Sequence, residues 1–192
     1  MKLVFVTKNQ NKISEIKNIF PKKIKLLNLM DIGFEQDIIE NGNSLHENAL
    51  IKAKCIKSKF GLNCFADDTG LEVFSLNNEP GVYSARYAGF PINADNNIDK
   101  LLKNLSKYND KSARFRTVIS LILNQNFIFF EGIVNGTISN KKKGNNGFGY
   151  DAIFKPEGSN KTFAELSLKE KNLISHRSIA INKLLNFLQK LD

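Results

Sequence analysis

Apolar and polar positions along this chain follow two repeats, a period of two that marks strands and a period of 3.6 that marks helices. Leu3–Val6 is a short β-prone run, and Lys8-Asn9-Gln10-Asn11 is a polar loop after it. Ile13, Ile16, Ile19 and Phe20 then fall at helical spacing until Pro21, which cannot continue a helix. Lys25–Leu29 reads as a second strand. A strand, a helix and a strand in that order close by a right-handed crossover between parallel strands, so an α/β layer is predicted from the opening segment alone.

Ser44-Leu45-His46-Glu47 matches a capping box, and Leu45, Ala49, Ala53, Ile56 and Phe60 continue at helical spacing up to Gly61. Cys64–Ala66 and Leu71–Phe74 read as strand segments on either side of a bend at Asp67-Asp68-Thr69-Gly70. A helix follows over about Asp95–Leu105. Arg114–Leu123 and Phe127–Val134 are rich in β-branched and aromatic residues and flank Asn124-Gln125-Asn126, the pattern of an antiparallel hairpin, so the sheet is expected to be mixed. Ser167-Leu168-Lys169-Glu170 is a second capping-box match, and Ile181, Leu184, Leu185 and Leu188 lie on one face of the last helix. Lys141–Gly147 is a loop, and with no linker or internal repeat the expectation is one domain over residues 1–192.

Composition narrows the function classes. A chain of 192 residues with 42% apolar and 24% charged positions has the size and balance to bury a core without staples. Two cysteines, Cys55 and Cys64, make neither a disulfide framework nor a thiolate metal cluster, which fits a reducing cytoplasm. The N-terminal apolar run is too short for a signal-peptide core, and no stretch is long enough to span a membrane. Against 28 Lys and Arg stand 19 Asp and Glu, so the net charge is +9 and anionic partners such as nucleotides are favoured. With two histidines and no Ser, His and Asp set singled out by spacing, carboxylates are better suspects than an acyl-transfer nucleophile.

Asp67 and Asp68 can bind a hard divalent cation while one of them orients or deprotonates water, with Glu40 as a third oxygen donor; acidic pairs in turns are also commonly solvated surface. Thr7, Asn9 and Lys12 lie where a strand feeds a helix, a place where backbone N–H groups attract phosphate, although an ordinary polar loop has the same look and the Walker spacing is absent. Gly147-Phe148-Gly149-Tyr150-Asp151 sets aromatics among glycines, suited either to stacking a flat base or to a tight turn. Lys171, His176 and Arg177 bracket the start of the last helix, where the dipole disfavours cations; they read as ligand contacts or as ordinary surface and core positions.

Taken in order, Thr7-Lys8-Asn9-Gln10-Asn11-Lys12, Glu40-Asn41-Gly42, Glu47-Asn48-Ala49, Ala66-Asp67-Asp68-Thr69-Gly70-Leu71, the Pro80–Gly89 run, Gly147–Asp151 and Ser175-His176-Arg177 cover nearly the whole chain. This series resembles the inosine triphosphate pyrophosphatase, or Ham1-like, family. The resemblance implies an elongated mixed β-sheet flanked by helices in two lobes with a central cleft, the fold shared by Maf and Ham1 proteins. It implies Mg2+-dependent hydrolysis of ITP, dITP and XTP to the monophosphate and pyrophosphate by a cytoplasmic homodimer. Carried over by motif, Asp68 is the catalytic carboxylate and a metal ligand, Glu40 a further ligand, and Asp67 a supporting one. Thr7, Lys8, Asn9, Gln10, Asn11, Lys12 and Lys52 correspond to the triphosphate cradle, and Thr69 to a substrate contact. Phe148, Gly149, Tyr150, Asp151, Lys171, His176 and Arg177 correspond to the base pocket. Lys8 stands where the family commonly has glycine, and Ala152 where proline commonly follows the aspartate. The rival readings are a Maf-like pyrophosphatase of other base specificity and a basic nucleic-acid-binding protein. The expected partner is the purine triphosphate, with neither a nucleic-acid polymer nor a membrane.

Overall fold

The computed structural model describes residues 1–17 and 19–191. A seven-stranded mixed sheet runs in the order β2-β1-β3-β5-β6-β7, with β4 also on β3. The strands are β1 (Lys2–Phe5), β2 (Lys25–Leu27), β3 (Cys64–Val73), β4 (Glu79–Pro80), β5 (Ser112–Leu123), β6 (Asn126–Ile138) and β7 (Phe154–Pro156). The helices are α1 (Gln10–Lys17), α2 (Leu45–Phe60), α3 (Ala94–Leu105), α4 (Leu168–Ile174) and α5 (His176–Gln189). β1 is parallel to both β2 and β3, while β4 on β3 and β7 on β6 are antiparallel. None of the described helices is long and apolar enough to cross a membrane.

The chain forms two compact units. The first draws on Met1–Asp68, Thr117–Gly132 and the segment from Arg177 onward; the second on Thr69–Arg116 and Ile133–His176. In the first unit the pleat of β1 and β3 feeds two cores, because successive side chains point to opposite faces. Leu3, Phe5 and Phe65 pack with Ile16 of α1 and with Ala180, Ile181, Leu184, Leu185 and Leu188 of α5, and the Phe5 and Phe65 rings stack with centroids 4.6 Å apart. On the other face Val4, Val6, Cys64 and Ala66 pack with Ala53 and Ile56 of α2. The second unit has one core, in which Leu71, Val73, Phe115 and Phe154 meet Ile98, Leu101 and Leu105 of α3.

Three expectations change. The Asp67–Gly70 bend is absent: β3 is one continuous strand from Cys64 to Val73. It is held straight there because the Leu71 N–H donates to Ser84 Oγ at 2.9 Å and Gly70 lies against the Gly81 carbonyl, which a Cβ would meet at 2.7 Å. The last helix is two helices, parted at Ser175, whose ψ of 151° is extended. Lys171 therefore closes the last turn of α4, where the dipole favours a cation, and only His176 and Arg177 open α5. At α2 the Ser44 side chain caps the Glu47 N–H, but Glu47 reaches back to Asn43 rather than to the cap residue. The Ser167–Glu170 box is reciprocal, as its spacing predicts, and Gly61 ends α2 in the left-handed conformation.

Candidate active site

The neighbours Asp67 and Asp68 inherit different surroundings from the pleat. Asp67 continues the face of Phe65, which packs on α1 and α5, and its partners come from those helices: Lys12 Nζ lies 2.9 Å from Oδ1 and Arg177 Nε 3.1 Å from Oδ2. Asp68 continues the face of Cys64 and Ala66, which packs on α2, and there it meets Lys52, whose Nζ is 3.6 Å from Oδ1. Lys52 also donates to Glu40 Oε2 at 2.8 Å, so one ammonium bridges two carboxylates.

The loop before α1 is organised by its own side chains. Thr7 Oγ1 accepts the Asn9 N–H, and Asn9 Oδ1 accepts the N–H groups of Asn11 and Lys12, so Asn9 caps α1. Lys12, a cation in the first turn, sits against the dipole and is balanced by Asp67. Gln10 and Asn11 are exposed in that same turn. Lys8 turns elsewhere, donating to the Glu35 carbonyl at 2.6 Å and Asp37 at 2.7 Å.

Behind Asp67 the charges alternate in a buried row. Arg177, 2% exposed, pairs with Asp67 on one side and with Glu15 of α1 on the other. Burial opposes the charged forms, yet Lys12, Arg177 and Lys52 together hold the Asp67 carboxyl well below its usual range. For Lys12 burial wins and its ammonium is pushed down despite Asp67. Lys52 goes the other way: burial is outweighed by Asp68, Glu40 and Asp67, which raise it. Asp68 is raised, by burial first and by the nearby acids Glu40 and Asp67, against the pull of Lys52 and Lys12. Glu15 was not among the residues expected from sequence. Its one signal is its place three residues after Lys12, on the same side of α1.

In the second unit Gly147-Phe148-Gly149-Tyr150-Asp151 wraps around a carboxylate. Asp151 Oδ2 accepts the Phe148 N–H at 2.9 Å and pairs with Lys171 Nζ at 2.5 Å. Gly147 takes φ +74°, and a Cβ there would lie 2.1 Å from Asp151 Oδ2, so only glycine fits. Lys171 Nζ lies 5.3 Å from the Phe148 ring centre and 5.4 Å from that of Phe163. Tyr150 is buried, donates to the Ser84 carbonyl at 3.0 Å, and has its phenol pushed up by that burial. His176 is buried with its ring stacked on Phe115, centroids 4.5 Å apart. Thr69, the first residue of this unit, is half-buried on β3. Of the expected base-pocket set, Phe148, Asp151 and Lys171 thus gather directly, Tyr150 and His176 join the surrounding core, and Arg177 lies in the row of alternating charges of the first unit.

A model of the Ham1 family matches residues 3–187. The chain belongs to the Ham1 family. A Christiangramia forsetii protein called dITP/XTP pyrophosphatase is 54% identical over 99% of this chain and 100% of its own, and a Flavobacterium johnsoniae protein of the same name is 52% identical over 98% of each. The solved structure of the Staphylococcus aureus Ham1 protein superposes with a TM-score of 0.91 at 41% identity, covering all of both chains. The mixed sheet flanked by helices is the Ham1 fold.

Two features of this Ham1 chain bear on chemistry. Lys8 needs no glycine-like backbone: among the described residues other than glycine, positive φ occurs only at Asn77, Asn78 and Asn124. As for metal, no three acidic, His or Cys side chains among the described residues are grouped closely enough to hold an ion unaided. Asp68 and Glu40 nevertheless supply two hard oxygen donors on either side of one cation, the set that Mg2+ accepts when a substrate phosphate completes its shell.

Proposed function

We propose that this protein hydrolyses ITP, dITP and XTP to the nucleoside monophosphate and pyrophosphate with Mg2+, acting as a cytoplasmic homodimer in which residues 1–192 work as one catalytic domain. The observation that carries the reading is the separation of two adjacent acids, Asp67 consumed by buried cations and Asp68 facing Lys52 and Glu40. Asp68 orients the attacking water and takes its proton. Lys12 and Lys52, with the N–H groups and side chains of Thr7–Asn11, bind the triphosphate oxygens. Lys8 adds positive charge to the same loop. Mg2+, held by Asp68 and Glu40 with Asp67 in support behind them, supplies charge neutralisation on the phosphates when bound. Arg177, itself held by Glu15, keeps Asp67 ionised and in place.

Base recognition falls to the second unit. Phe148 offers a stacking face, Gly149 leaves room beside it, and Asp151 fixes Lys171 as a donor; Tyr150 and His176 brace that set, and Thr69 contacts the substrate from β3. A 6-keto purine presents an acceptor to such donors, whereas a 6-amino group sets donor against donor and leaves both unpaired. The net charge of +9 favours a polyanionic substrate, which needs no nucleic-acid polymer or membrane as partner. The experiment is pyrophosphate release from ITP, dITP, XTP, ATP, GTP and modified pyrimidine triphosphates, with Mg2+ or EDTA. Release from the first three, abolished by EDTA, is expected. A flat panel, a preference for pyrimidines, or metal-independent turnover overturns the reading.

A further inference from the structure

The first turn of α2 grips the segment that carries Glu40. Asn48 is 1% exposed, and its Oδ1 accepts the Gly42 N–H at 2.8 Å. Glu47 Oε2 accepts the next N–H, from Asn43, at 2.6 Å. The approach is so close that a Cβ on Gly42 would stand 2.6 Å from Glu47 Cβ and 2.8 Å from Asn48 Oδ1. One turn further along the same face, Lys52 holds Glu40 Oε2. α2 therefore fixes Glu40 twice, by its carboxylate and by the backbone two residues on.

Packing alone gives little reason for asparagine at this place. It is a poor helix former, and its Nδ2 is buried with no hydrogen-bond partner among the described residues, a costly state for a donor. The amide cannot turn over to relieve this, because Nδ2 would then face the Gly42 N–H, donor against donor. Leucine would fill a similar space without the orphaned group. What leucine lacks is an oxygen for Gly42.

We propose that Asn48 is a positioning residue for Glu40, holding the Glu40–Gly42 segment so that the carboxylate is set for the divalent cation. The inference rests on Glu40 being a metal ligand, as read above. Mn2+ is titrated by calorimetry into the full chain with α,β-methylene-ITP present, for the parent, Asn48→Leu, Asn48→Asp, Gly42→Ala and Glu40→Gln, and each melting temperature is recorded without metal. Asn48→Leu is expected to melt close to the parent yet bind Mn2+ about 10–100-fold more weakly, the usual cost of losing a group that orients a ligand. Asn48→Asp keeps an oxygen for Gly42 and recovers most of that loss, which a purely structural role would not produce. Gly42→Ala, which pushes the same segment off Asn48, weakens Mn2+ likewise and carries the test if Asn48→Leu does not fold. Parent-like Mn2+ affinity in Asn48→Leu or Gly42→Ala, or an Asp variant no better than Leu, overturns the inference while a weakened Glu40→Gln leaves Glu40 as ligand. Parent-like affinity in Glu40→Gln overturns both.

Discussion

Asp67→Asn tests the buried row most directly, since it removes one charge and almost no volume. Lys12, Asp67, Arg177 and Glu15 alternate in sign, with side chains only 14%, 1%, 2% and 6% exposed. Neutralising Asp67 leaves two cations facing one carboxylate where water cannot replace the lost partner. Removing one member of such a buried set costs about 3–5 kcal/mol. At about 2–4 °C per kcal/mol for a chain of this length, the melting temperature should fall by about 6–20 °C. Lys12, already pushed down by burial with Asp67 as the main opposing charge, should drop further. The pH dependence has a definite sign. Because the folded carboxyl is depressed, its stabilisation is complete above the unfolded value of about 3.9 and is lost as pH falls through the lower folded value. The gap between parent and variant should therefore be the same at pH 7 and pH 5 and narrow only in stronger acid. Calorimetric melts across that range read it out. A loss under about 1 kcal/mol, the size of an exposed ion pair, would refute the claim that these charges are shielded from water.

Asp68→Asn should cut pyrophosphate release about 10²–10⁴-fold, the span of general acid–base contributions, while ITP binding measured by calorimetry persists. Ser167→Ala should cost about 1 kcal/mol by opening the cap of α4, visible as a small drop in melting temperature. Gly70→Ala should destabilise by about 1–3 kcal/mol, because the added carbon meets the Gly81 carbonyl and neither backbone can yield cheaply. Cys64, buried with its thiol pushed up to about 12, should resist iodoacetamide at pH 8 in the native protein and react once unfolded, as peptide mass spectrometry would show.

Much of the fold was legible because the local signals agree with the long-range packing. The β1-α1-β2 opening, the stop at Gly61, the α3 span and the β5–β6 connection all rest on periodicity and turn residues that the structure leaves intact. The misreadings came where distant contacts override local preference. Asp67-Asp68-Thr69-Gly70 has turn composition, but paired strands and the Ser84 hydroxyl keep it extended. Ser175 breaks the C-terminal helix without a glycine or proline to announce it. In the candidate site, Lys12, Glu40, Lys52 and Asp68 could be named from motifs, whereas Glu15 could not, because a lone acid in an amphipathic helix looks like any solvated one until its partner, far along the chain, folds onto it. Asn48 stands in a quoted motif but carried no role there, because its partner is a backbone N–H, which leaves no trace in composition.

The two-sided pleat of β3 makes the chemistry intolerant of insertion. Moving the strand by a single residue would exchange the surroundings of the paired acids, turning Asp68 toward the side of Lys12 and Arg177 and Asp67 toward that of Lys52. One such slip would disturb the packing of β3 and the charge pairing of its two acids together.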